Sequence, residues 1–130
     1  MKISTKGQYG LTIMIELARQ YGSGQHNLSV HYLEQLAAPL RNAGLIKSIR
    51  GAYGGYILAK EPKLIKAGDV IRVLEGPLTI VDGIENEEPA KQALWLKITQ
   101  AVKNVLDTTT LEDLTGYDQE EQQEAYMFYI

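Results

Sequence analysis

Between residues 50 and 59 the chain reads RGAYGGYILA: an arginine, three glycines and two tyrosines ahead of an apolar run. Glycines at this density serve two kinds of chemistry. In a phosphate-cradling loop they stand between a strand and a helix start, so that backbone N–H groups converge on the anion. Here a second strand-like run, YILA, follows them, and the nucleotide-loop reading is weak. At the tip of a β-hairpin the same glycines let a backbone approach phosphates closely. Arg50 then supplies a cation at the base, Tyr53 and Tyr56 supply a hydroxyl and an apolar body, and Gly54 needs conformational freedom. The plainer alternative is a structural hairpin with Tyr56 packed in the core.

Other chemistry is limited by what the chain lacks. It has no cysteine. That excludes disulfides, thiolate-held zinc or iron–sulfur clusters and a thiol nucleophile. Two histidines with no accompanying carboxylate cluster argue against a metal site. No nucleophile–base pairing is legible, so no catalytic residue is assigned. The expectation is a protein without enzymatic activity, cofactor or metal.

The elements around the glycine loop decide between its readings. Ser4 or Thr5 caps a helix through TKGQYGLTIMIELARQYG, with Tyr9, Ile13, Met14, Leu17 and Tyr21 on a buried face and Gly22 and Gly24 ending it. A second helix runs from Ser29, its N-cap, to Asn42. Its apolar stripe is Leu33, Leu36, Ala37 and Leu40, Pro39 should bend or loosen it, and Gly44 closes it. LIKSIR, GAYGG and YILA then form the hairpin. A short helix, AGDVIRVLEG, turns Val70, Ile71, Val73 and Leu74 inward. After the linker GPLTIVDGIENEEP comes a long helix, about Glu88 to Leu106. Leu94, Trp95, Ile98, Ala101, Val102 and Val105 share one broad face. Thr110, with Asp113, caps a last short helix, TLEDL.

A capped helix followed by a glycine-tipped hairpin is the layout of a winged helix. The helix enters the DNA major groove and the hairpin lies on a neighbouring backbone or minor groove. The first turns of the second helix offer Ser29, His31, Tyr32, Glu34 and Gln35 to base edges. Lys2, Thr5 and Lys6 at the start of the first helix form a candidate phosphate clamp. An ordinary amphipathic helix would show a similar polar face. Charge points the same way: residues 1–60 carry seven basic and two acidic groups, residues 61–130 six basic and fourteen acidic, within a net −3. A polyanion-binding head on a body with another task fits this split, as does chance segregation of solvated charge. The polar N-terminus and the absence of an apolar run of roughly 18–20 residues give an expectation of a cytoplasmic protein.

MKISTKGQYGLTIMIELA, LSVHYLEQLAAPLRNAGLIKSIRGAYGGYILA and AGDVIRVLEGPL resemble the IscR/NsrR type of bacterial winged-helix regulators, the Rrf family. EEPAKQALW and the closing EAYMFYI are similar to its cluster-free branch of cysteine metabolism repressors. The resemblance implies a mostly α fold with a small β-hairpin wing, a winged helix-turn-helix domain plus a long dimerisation helix. It implies a homodimer on Leu94, Trp95, Ile98, Val102 and Val105, and a palindromic operator in double-stranded DNA. It implies DNA contacts from Ser29, His31, Tyr32, Glu34, Gln35 and Arg50. The domains expected are 1–76, a winged-helix head; 77–87, a linker; 88–115, the dimerisation helix and a short helix; and 116–130, an acidic and aromatic tail. Many members hold an iron–sulfur cluster through three cysteines in the linker. This linker has none, so a cluster sensor is excluded.

One departure concerns length. Only SGQHNL separates Gly22 from Ser29. A helix-turn-helix needs a further helix there, and about ten residues are short. Either the natural chain is shortened, or residues that belong there are missing from this sequence. The second reading is preferred, because a true deletion should leave the apolar face of the recognition helix uncovered.

The tail DQEEQQEAYMFYI is too acidic to face DNA. It is either a spacer whose aromatic end packs back on the body or a docking peptide with a terminal carboxylate. The resemblance implies a partner, O-acetylserine thiol-lyase (cysteine synthase), which takes a C-terminal isoleucine of another protein into its active site. Tyr129 and Ile130 are the corresponding candidates. The expected function is a DNA-binding repressor of cysteine and sulfur metabolism genes with that enzyme as co-repressor. The alternative is a dimeric interaction module that binds the enzyme but not DNA.

Overall fold

The computed structural model describes residues 2–22, 30–50 and 55–117, with backbone alone at 30–32. The first helix, α1 (Thr5–Arg19), starts at Ser4, which is extended and whose hydroxyl accepts from the Gly7 N–H at 3.3 Å. Ile13, Met14 and Leu17 are buried as the spacing requires. Tyr9 and Tyr21 are not: they are 43% and 46% exposed. The buried stripe is centred on Gly10, Met14 and Leu17, which leaves Tyr9 at its edge. Tyr21 lies past the helix end, in the turn that closes at Gly22, φ +78°.

Helix α2 (Val30–Asn42) buries Leu33, Leu36, Ala37 and Leu40, and it continues through Pro39. Pro39 lies in the last turn, and backbone bonding resumes at once, from the Ala43 N–H to its carbonyl at 3.1 Å. Gly44 takes φ +77°, its N–H bonds the Arg41 carbonyl, and the Leu45 N–H bonds that of Leu40. This pair of bonds is a Schellman cap, and it swings the chain straight into the hairpin. Strands β1 (Ile46–Ile49) and β2 (Gly55–Leu58) pair antiparallel, Ile46 opposite Leu58 and Ile49 opposite Gly55. Their inner face adds Ile46 and Leu58 to the core, with Tyr56 packed at its margin.

After a 3-10 turn at Pro62–Leu64 comes α3 (Ala67–Glu75), whose start is held by the Asp69 carboxylate accepting from the Lys66 N–H at 2.9 Å. Val70, Ile71 and Leu74 are buried and Val73 is half-buried. Helix α4 (Pro89–Thr108) has no buried residue. It stops where Thr110 begins a capping box: the Asp113 N–H donates to the Thr110 hydroxyl and the Thr110 N–H to the Asp113 carboxylate, each at 2.9 Å. The helix so started, α5 (Leu111–Thr115), returns to the head. Leu111 is wholly buried in the core, where α5 packs on α1 and on the Pro62–Leu64 turn, and its N–H bonds the Ile65 carbonyl at 2.9 Å. Each Leu, Ile or Met so buried contributes about 1.5–3 kcal/mol.

Candidate nucleic-acid interface

The start of α1 gathers the first group of expected contacts. Lys2, Thr5 and Lys6 are all exposed within one turn of the helix start, where the macrodipole favours an anion. What fixes this end is a residue that sequence reasoning passed over. Glu75, the last residue of α3, accepts from the Ser4 N–H at 2.8 Å and from the Ser4 hydroxyl. The Ser4 hydroxyl in turn takes the Gly7 N–H.

Space for Glu75 comes from glycine. A Cβ on Gly7 would stand 2.4 Å from Glu75 Oε1, and one on Gly10 would stand 2.0 Å from Leu74 Cδ1. Two glycines three apart inside a helix cost about 0.5–1 kcal/mol each relative to alanine. Here they open a groove on α1 that receives the last turn of α3. The pattern GQYG within a helical stretch was the signal available in the sequence.

On α2, Glu34 and Gln35 are exposed side by side, one turn in from the helix start. His31 and Tyr32 belong to the same helix by their backbone; their side chains lie outside the described residues, as do Ser29, Tyr53 and Gly54. Arg50 is exposed immediately after β1. The apolar face of α2 is covered, with Leu33, Leu36, Ala37 and Leu40 between 0% and 4% exposed. This corrects the expectation that a short connection would bare it: among the described residues, α3, β1 and α1 all pack against α2. Among the described residues a cleft of about 490 Å³ lies elsewhere, between the C-terminal end of α1 and the hairpin, bordered by Leu17, Tyr21, Ile49 and Tyr56.

The long helix carries the second surface. Leu94 is 50%, Ile98 36% and Val105 64% exposed, all on one side, while Trp95 and Val102 are half-buried. Where α4 ends, Arg72 of α3 donates two bonds to Asp107, at 2.6 and 2.9 Å. Hydrogen bonding to Arg72 holds the Asp107 carboxyl below the usual carboxylate range, and the same bonds raise the Arg72 pKa. Together with the Ala67 N–H bonded to the Thr109 carbonyl at 2.8 Å, this ties the long helix to the head.

Residues 3–117 match the family model described as Rrf2, iron-dependent transcriptional regulator. The chain belongs to the Rrf2 family. Within Rrf2 it is 66% identical to the HTH-type transcriptional regulator CymR of Bacillus subtilis (strain 168), over 139 aligned positions that cover all of both chains. It is 30% identical to the regulator IscR of Klebsiella pneumoniae (strain 342), covering 89% of this chain and 80% of that one. The solved structure of CymR, the global cysteine regulator of B. subtilis, superposes with a TM-score of 0.82 at 63% identity, covering 92% of this chain and 99% of that one. The winged helix is thereby established, and the chain is a transcriptional regulator rather than an enzyme. The 139 aligned positions exceed the 130 residues of the chain by nine, in line with a shortfall of about ten.

The iron named in the family description does not fit these residues. There is no cysteine in the chain, and among the described residues no group of three or more His, Asp or Glu side chains is placed to hold a metal ion. Nor is any helix among them long and apolar enough to cross a membrane.

Proposed function

We propose that this Rrf2 regulator is a cytoplasmic, homodimeric repressor of cysteine and sulfur metabolism genes, with cysteine synthase as its co-repressor. The observation that carries the reading is the 66% identity, over the whole of both chains, to a regulator named CymR, whose solved structure is described as the global cysteine regulator of its organism. In this reading residues 1–76 form the DNA-binding head and 77–87 a linker. Residues 88–115 carry the dimer, and 116–130 form the tail. Lys2, Thr5 and Lys6 meet phosphate, Ser29, His31, Tyr32, Glu34 and Gln35 face base edges, and Arg50, Tyr53 and Gly54 lie along the backbone. Tyr129 and Ile130, outside the described residues, enter the enzyme's active site, where O-acetylserine competes with them.

A second reading follows if the nine-position shortfall is a true deletion: an interaction module that keeps the dimer and the enzyme partner but has lost DNA binding. Fluorescence titration of a promoter fragment from a cysteine-uptake operon separates the two. It is run with and without cysteine synthase at two salt concentrations. Salt-sensitive, competitor-resistant binding that tightens with the enzyme is expected of the repressor. A stable enzyme complex with no specific DNA binding is expected of the module. Deleting Ile130 should abolish the complex in both cases; unchanged enzyme affinity sinks the tail-docking idea.

A further inference from the structure

The start of α1 is held by a carboxylate from a helix distant in sequence, and the way it is held bears on DNA contact. Four N–H groups at a helix start lack intrahelical acceptors. Here Glu75 takes that of Ser4, at 2.8 Å, and the Ser4 hydroxyl takes that of Gly7. The N–H groups of Thr5 and Lys6 have no acceptor among the described residues. Glu75 therefore engages the rear donor and leaves the forward pair open beside the exposed Lys2 and Lys6 side chains. Its reach depends on Gly7, since a Cβ there would come within 2.4 Å of Glu75 Oε1. Its base is rigid: Leu74, the preceding residue, is buried in the groove over Gly10, where a Cβ would meet its Cδ1 at 2.0 Å.

We propose that Glu75 is a positioning residue for DNA binding: by gripping Ser4 across the gap left by Gly7, it sets where Lys2, Thr5 and Lys6 stand against a phosphate. The inference rests on the reading of those three residues as a phosphate clamp. Glu75 touches no DNA itself. Its negative charge is turned onto Ser4, so its removal loosens the clamp more than it relieves repulsion.

The test is titration of a fluorescent random-sequence duplex, since phosphate contacts are blind to sequence. The slope of log affinity against log salt counts them, at about 0.9 per phosphate. Lys6→Ala should make the slope shallower by about 1 and reports on the clamp alone. Glu75→Ala should do the same and weaken binding about fivefold at the lower salt concentration, on the scale of one lost phosphate contact. Glu75→Gln keeps the accepting Oε1 and should stay within about twofold of the unaltered protein on that same scale. Gly7→Ala displaces the carboxylate end of Glu75, with a lesser push on the Ile3 Cγ2 at 3.0 Å, while improving helix propensity. It should lose affinity as Glu75→Ala does, with no fall in melting temperature, which a purely structural role does not predict. Tighter binding by Glu75→Ala, or an unchanged slope, overturns the proposal. An unchanged slope in Lys6→Ala instead overturns the clamp on which it rests, and failure of the unaltered protein to bind the duplex overturns both.

Discussion

Asp107 and Asp113 are exposed carboxylates, yet both sit below the ordinary carboxyl range, for different reasons. Asp107 is lowered first by hydrogen bonds from Arg72, Asp113 first by the backbone N–H of Thr110. A lowered native pKa means the folded state binds the carboxylate's proton less readily than the unfolded chain does. The stabilisation is therefore complete above the unfolded value of about 3.9 and is lost as pH falls through the lower native values. Melting temperature should stay flat with respect to these two groups down to about pH 4 and then drop. Asp107→Asn should remove part of that acid limb; an acid limb of the same depth in the variant would show that the Arg72 pair adds nothing to stability. At the same scale Arg50, exposed after β1, is expected to touch phosphate or a base edge. Arg50→Ala should cost about 1–3 kcal/mol in operator binding, read by titration, with the folded state unchanged by circular dichroism.

At the scale of elements, α5 shows how a five-residue helix is kept. Too short to be stable alone, it is started by the Thr110–Asp113 capping box and anchored by Leu111, which is 0% exposed. Leu111→Ala should cost about 2–5 kcal/mol in chemical unfolding, because the cavity would open where α5 packs on α1 and the Pro62–Leu64 turn. A cost below about 1 kcal/mol would mean that α5 is not docked on the head in solution. The capping box was legible in TLEDL, and so were the glycine stop after α2, the hairpin and the inward face of α3. Each is written in local spacing or turn chemistry. The docking of α5 was not legible, because one leucine in a five-residue helix has no period to read. Tyr9 and Tyr21 misled for a related reason: spacing places a residue near a stripe without saying that glycine, filled by Leu74 from another helix, occupies its centre. Glu75 escaped notice because its partner Ser4 lies 71 residues away. The wing tip, Ser29 and the side chains of His31 and Tyr32, where several expected contacts fall, lie outside the described residues.

Over the whole molecule, the basic groups gather in residues 1–60 and the acidic ones in 61–130, and α4 lies in the acidic part. Its side chains Leu94, Ile98 and Val105 recur at spacings of four and seven, so they form one stripe along the helix. All three stay exposed, while Trp95 and Val102 beside them are half-buried. A second copy packed on the same stripe would bury it by two-fold symmetry, each residue meeting its counterpart or a near neighbour. The symmetry matters for the head. A winged helix reads one half-site, and a dimer reads two about one helical turn apart, so a palindrome is recognised only when α4 holds both heads in register. The Arg72–Asp107 pair and the Ala67–Thr109 bond hold α4 to α3; in the proposed dimer they would carry that register from the stripe to the head. Val105 is the sharpest place to intervene, being 64% exposed in the single chain. Val105→Glu should leave the fold and melting curve of the head intact while halving the mass in sedimentation velocity. Affinity for a single half-site should be kept and the gain from the second half-site lost. If Val105→Glu sediments as a dimer, the stripe is not the seam and the heads must be paired by another surface.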